Sequence, residues 1–214
     1  MTRRWKVAAI VFIAAFAVAA VFYTVYLRPR QAVRARLSQL KYMSPYQEAL
    51  IAFQKLNGLP RDGKAGPEVI EALKNPVIPK PNQEHEGIHT EADLERQVMV
   101  VYHGGEIVRI LPISSGSGKR YKEPEGGYGL ARTPIGGFEF YRHRAKGHLG
   151  KIWYPVYFHP SGYAVHGYPD VPPHPASHGC LRIPIPDSKW FEKAVPLGTP
   201  LLISETALEV IEPR

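Results

Sequence analysis

The stretch that decides the reading is His166-Gly167-Tyr168, an eight-residue passage holding Pro169, Pro172, Pro173 and Pro175, and then Ser177-His178-Gly179-Cys180-Leu181-Arg182. Cys180 is the single cysteine of the 214-residue chain. No intramolecular disulfide is possible, so the thiol needs another explanation. A thiol is a strong nucleophile when ionised, and a nearby imidazole can take its proton. His166 and Cys180 are 14 positions apart, so a strand ending at His166 can be met by a chain returning to Cys180. Glycine at 179 lets the backbone turn tightly and keeps bulk away from a substrate carbonyl. The backbone N–H groups around Gly179 and Cys180 are expected to serve as oxyanion donors.

Working outward, the chain from about residue 96 is patterned as short strands separated by Gly and Pro turns. Residues 98–102 are apolar and β-branched, His103-Gly104-Gly105 is a turn, and 107–113 continues, which predicts a hairpin. Phe138 and Phe140 alternate with Glu139 and Tyr141, and 153–158, 163–165 and 201–204 are further strands. The sum predicts a mainly β fold with a mostly antiparallel sheet or sandwich. One helix is expected over 187–195, with Trp190, Phe191 and Ala194 inward. Residues 114–132 form a long glycine-bearing loop, of the kind that can serve as a lid.

These motifs resemble the signature of L,D-transpeptidase catalytic domains. The resemblance is carried by His166-Gly167, the spacer and Ser177-His178-Gly179-Cys180-Leu181-Arg182, with Thr133-Pro134-Ile135-Gly136 similar to an upstream family element. It covers residues 96–204 and implies a β-sandwich-like fold with a cysteine nucleophile. Cys180 would be the nucleophile and His166 the general base, later the general acid. The Gly167 carbonyl would orient the imidazole. Ser177, His178 and Gly179 would support the site or its oxyanion hole, and Arg182, Thr133 and Tyr168 would meet substrate. No cofactor and no metal are implied. The partners would be peptidoglycan tetrapeptide stems, as donor and acceptor, joined in a 3→3 cross-link through a Cys180 thioester. Resolution by water would instead make the protein a carboxypeptidase, and a non-catalytic wall-binding scaffold is a third reading. A metal site is the rival chemistry, since His159, His166, His174, His178 and Cys180 lie within 22 residues. The close paired spacing of common zinc motifs is missing.

Residues 38–75 are expected to be a small helical module. Tyr46, Ala49, Leu50 and Phe53 follow helical spacing, Ser44-Pro45 opens the helix and Asn57-Gly58 closes it. Pro67 opens a second helix carrying Val69, Ile70 and Leu73. The string from Phe53 to Gly63, with its Asp62-Gly63 turn, resembles the small helical peptidoglycan-binding domain. It would either bind the wall or space the enzyme from the membrane. Residues 76–95, with Pro76, Pro79 and Pro81, are expected to be a linker, and 205–214 a tail.

The net charge of +8 raises nucleic-acid binding, but its distribution excludes that class. Residues 1–41 hold eight basic groups and no acidic one, which leaves 19 basic and 19 acidic residues in the remainder. A phosphate-binding face needs its cations clustered on the folded domain. Here they flank an apolar run over residues 7–27, 21 residues or about 31 Å as a helix, which matches a bilayer core. Residues 1–30 are therefore expected to be an uncleaved transmembrane anchor, with a cleavable signal peptide as the rival. Cations lie on both sides of the run, so charge alone does not orient it. The peptidoglycan-directed motifs place the C-terminal part outside the membrane.

Overall fold

The computed structural model describes residues 12, 15–21, 23, 27–123, 126–144, 147–206 and 208–211. The chain divides into two units, residues 1–36 and 37–214. In the first, residues 15–21 are helical and α1 (Arg28–Gln39) begins. Most of the expected span over 7–27 lies outside the described residues. Among the described residues, no helix is long and apolar enough to cross a membrane.

In the second unit, α2 (Tyr46–Leu56) and α3 (Pro67–Ala72) form the helical module. Pro45 occupies the cap position of α2, so no side chain caps that end, in place of the Ser44 cap expected. Gly58, with φ +65°, ends the helix, and Leu59 N–H returns to the Gln54 carbonyl at 2.9 Å. Buried Gln54 also holds the following loop, donating to Asp62 Oδ1 at 2.8 Å and accepting from Gly63 N–H at 2.8 Å. Pro67 sits in the first turn of α3, where its missing N–H costs nothing.

The rest is built on two five-stranded sheets, with two small two-stranded ones beside them. The first has the order β4 (Glu106–Pro112), β3 (Val98–His103), β2 (Ile88–Asp93), β13 (Pro200–Ser204), β7 (Gly136–Glu139). The second runs β12 (Leu181–Pro184), β11 (Ala164–Tyr168), β10 (Ile152–Tyr157), β8 (Arg142–His143), with β9 (His148–Leu149) also on β10. Met99, Val101 and Leu111 from one sheet pack with Val156, Val165, Leu181 and Ile183 from the other, and Phe191 of α4 (Ile185–Ala194) joins them. This is the sandwich expected from strands of period two. Two pairings are parallel, β11 with β12 and β13 with β2, because each pair is joined through a long excursion that returns the chain in the same direction.

The expected linker is corrected. Residues 76–95 contain β1 (Ile78–Lys80) and β2, which lies between β3 and β13. His89, Glu91 and Asp93 made β2 look too polar for an interior strand, but these alternate residues are all buried. Glu91 is held by Asn82 N–H at 2.8 Å and the Asn82 amide at 2.9 Å, and Asp93 by Arg96 N–H at 2.7 Å and the Arg96 guanidinium at 2.9 Å. The two carboxylates are therefore buried with partners, while the His89 ring stacks on Tyr102 with neither nitrogen hydrogen-bonded among the described residues. The expected tail also pairs: β14 (Glu209–Ile211) lies antiparallel to β1. Within the expected 114–132 loop, β5 (Arg120–Lys122) and β6 (Tyr128–Leu130) form a hairpin.

Candidate active site

The site follows from strand parity. Val165 of β11 and Leu181 and Ile183 of β12 point into the core. Side chains alternate along a strand, so His166, Tyr168 and Arg182 lie on the opposite face. His166 and Arg182 are register partners, as are Val165 and Leu181. Cys180 stands one residue before β12, half-buried.

His166 is buried, and its Nδ1 lies 2.9 Å from the Gly167 carbonyl oxygen. A carbonyl only accepts, so Nδ1 carries the proton and Nε2 keeps its lone pair. Burial lowers the His166 pKa below the usual imidazole range. The Gly167 hydrogen bond opposes this, and the Arg182 charge adds to it. Burial raises the Cys180 thiol, while a backbone hydrogen bond from Ala164 and the Arg182 charge favour the thiolate. Both shifts favour the neutral forms, imidazole at His166 and thiol at Cys180.

The loop that carries Cys180 is held from several directions. Ser177 Oγ donates to the Cys180 carbonyl at 2.6 Å and accepts from Gly179 N–H at 2.9 Å. Thr133 Oγ1 donates to the Gly179 carbonyl at 2.9 Å and accepts from Gly116 N–H at 2.9 Å. These bonds involve two residues expected to meet substrate or its oxyanion. Gly179 N–H is engaged by Ser177 Oγ, and Thr133 Oγ1 ties the Gly116 N–H to the Gly179 carbonyl. Gly179 has φ +145°, and a Cβ there would come within 2.7 Å of the Arg132 carbonyl and strike the Tyr163 ring. Only glycine fits.

Gly167 is required for packing as well as for its carbonyl. A Cβ on it would strike Ser188 Oγ and come within 3.0 Å of Ile185 Cα, so it lets α4 lie against β11. Arg182 stacks over the Tyr168 ring at 4.0 Å, so those two expected substrate contacts meet each other. His178 is exposed and stacks on Tyr121 of the β5–β6 hairpin, centroids 4.3 Å apart. His159 packs on Phe138 and Tyr163, and His174 is exposed. Among the described residues, no group of three or more His, Cys, Asp or Glu side chains is placed to hold a metal ion.

Two neighbours of the site carried no motif. Tyr163 has its phenol pKa raised, first by burial and then by nearby groups that include Tyr121 and Cys180. Tyr121 reaches His178 only because the hairpin folds back over the loop. Neither position is marked in sequence, because each contact spans a long separation.

A family model described as the L,D-transpeptidase catalytic domain matches residues 88–203, and one described as a peptidoglycan binding domain matches residues 29–73. No curated protein matches the chain. Among solved structures, the L,D-transpeptidase (residues 123–326) from Xylanimonas cellulosilytica DSM 15894 is 37% identical with a TM-score of 0.73, over 81% of this chain and 91% of that one. An L,D-transpeptidase from Stackebrandtia nassauensis is 17% identical with a TM-score of 0.47, over 83% of this chain and 91% of that one. One from Mycobacterium smegmatis is 20% identical with a TM-score of 0.44, over 55% of this chain and 58% of that one.

Proposed function

The chain belongs to the L,D-transpeptidase family, and we propose that it cross-links peptidoglycan stems through a thioester on Cys180, with His166 as general base and then general acid. The observation that carries this reading is the Nδ1 hydrogen bond to the Gly167 carbonyl. It leaves Nε2 as the basic atom, on the strand beside the one that Cys180 leads into. In the first step the thiol proton passes to Nε2 and the sulfur attacks the carbonyl carbon of the third residue of a tetrapeptide stem. The bond to the terminal D-alanine breaks, and its amine leaves with the proton from His166. In the second step an amine of a neighbouring stem gives a proton to Nε2 and attacks the thioester. A 3→3 peptide bond forms and the thiol is restored.

The peptidoglycan-binding module would hold the enzyme on its polymeric substrate, and the N-terminal apolar run would anchor it in the membrane with the catalytic domain outside. Phe12, Phe16, Val18 and Val21 are all at least 60% exposed, which supports a lipid-facing role. Fractionation of cells after salt and then detergent washing tests the anchor, and release by salt alone counts against it.

The test of the reaction is incubation of purified protein with tetrapeptide-bearing fragments, products separated by mass. Cross-linked dimers with release of D-alanine are expected. Shortened monomers alone would mean transfer to water, and no product would remove the enzymatic reading.

A further inference from the structure

The helical module is joined to the Cys180 loop by an unbroken series of hydrogen bonds. Lys55, on α2, is 1% exposed, and its ammonium nitrogen donates to the Gln97 carbonyl at 3.0 Å and the Ile113 carbonyl at 2.8 Å. The Gln97 side chain donates to Ser115 Oγ at 2.7 Å and accepts from Ser115 N–H at 2.9 Å. The Ser115 carbonyl then accepts from Ala176 N–H at 2.9 Å and Ser177 N–H at 2.8 Å, and Ser177 Oγ holds the Cys180 carbonyl. Between them, Ser114 exchanges two backbone bonds with Arg182, at 3.0 and 3.1 Å. A second tie comes from the loop between α2 and α3: Arg61 donates to the Pro173 carbonyl at 3.3 Å and the Glu95 carbonyl at 3.2 Å.

A lysine placed only to tether a module would sit at the surface, where its charge is solvated. Here it is buried and donates to carbonyls on both sides of the β3–β4 hairpin, next to the serines that frame the nucleophile's turn. We infer that Lys55 and Arg61 are positioning residues for Cys180, so that the peptidoglycan-binding module is part of the catalytic apparatus as well as an attachment. The inference rests on Cys180 being the nucleophile. A displaced loop carries the sulfur away from His166, and errors on the order of 1 Å cost about 10²-fold in rate.

The test is the rate of Cys180 alkylation by iodoacetamide as a function of pH, in the full chain and in the Lys55→Met, Arg61→Gln and Lys74→Met variants. The rate constant is taken per titratable thiol, so that unfolded protein does not enter it. Alkylation needs only an accessible thiol, so it reads the loop whether or not stem peptides are turned over. Lys55→Met and Arg61→Gln are each expected to react severalfold faster at neutral pH, with a profile moved toward that of a free thiol, because a displaced loop relieves the burial that raises the Cys180 pKa. Lys74→Met, at an exposed position of the same module, is expected to match the wild type. On stem fragments the first two variants should lose kcat at nearly constant KM. Wild-type rates and profiles in both would overturn the inference. If Lys55→Met does not fold, Arg61→Gln decides alone, since its side chain reaches only backbone carbonyls near the surface.

Discussion

His166 and Arg182 face each other as register partners across the parallel β11–β12 pair, and the guanidinium rests on the Tyr168 ring. The arginine charge acts on both partners of the proposed chemistry. It disfavours the imidazolium of His166 and favours the thiolate of Cys180. Replacing Arg182 by glutamine removes the charge, so both pKa values should rise. The acid limb of kcat/KM, which needs neutral His166, is expected to move to higher pH by roughly one unit or less. A pH–rate profile of Arg182→Gln checks this, and a limb that stays in place or moves to lower pH refutes it.

Gly179→Ala forces a side chain into a left-handed position already filled by the Arg132 carbonyl and the Tyr163 ring. The backbone strain alone is on the order of 1–3 kcal/mol, and the clash adds to it. The variant should melt earlier than wild type, and a carbapenem, which under the proposed thioester chemistry would acylate Cys180, should fail to add to the variant, as read by intact-protein mass. Normal adduct formation at a normal melting temperature would contradict this geometry.

Lys55 should make the stability of the protein rise with pH just above neutrality. Burial, with a smaller contribution from the Arg61 charge, lowers the Lys55 pKa from 10.5 to about 7. Between those values the unfolded chain binds more protons than the folded one, so the free energy of unfolding increases with pH. The effect is complete above about 10.5 and vanishes as a slope below about 7. Chemical denaturation at a series of pH values measures it. Lys55→Met should flatten the curve, and an unchanged slope in that variant would assign it elsewhere.

Phe53 is fully buried on α2, and its ring meets Tyr42 edge-on at 5.5 Å. Phe53→Ala should cost about 3–5 kcal/mol. Because the module and both sheets lie in one unit, that loss should lower a single transition followed by both far-ultraviolet and tryptophan signals. All three tryptophans lie outside the module. Two separated transitions would show that the module unfolds by itself.

Much of this site was legible because its residues are local. The hairpin over 98–113, the strands at 153–158 and 201–204, and the α2 face through Ala49, Leu50 and Phe53 all appear where periodicity placed them. β2 was missed because His89, Glu91 and Asp93 imitate a polar linker; Asn82 and Gln83 hold Glu91, Arg96 holds Asp93, and these distant or loop-borne partners make the burial tolerable. The hydrogen bond from Gly179 N–H to Ser177 Oγ was not legible for a related reason. Whether a backbone donor is free depends on where the Ser177 hydroxyl turns, and no spacing encodes that.

The sequence alone determined the candidate residues and the fold class: one thiol, the His166-Gly167 pair ahead of it, glycines where only glycine fits, and an alternation that makes a sandwich. These are local properties, set by side-chain type and by a backbone period of two. Tertiary structure alone decided what holds the thiol in place. The series from Lys55 through Gln97 and Ser115 to Ser177 links residues more than a hundred positions apart. Such contacts exist only after two sheets and a helix pack together.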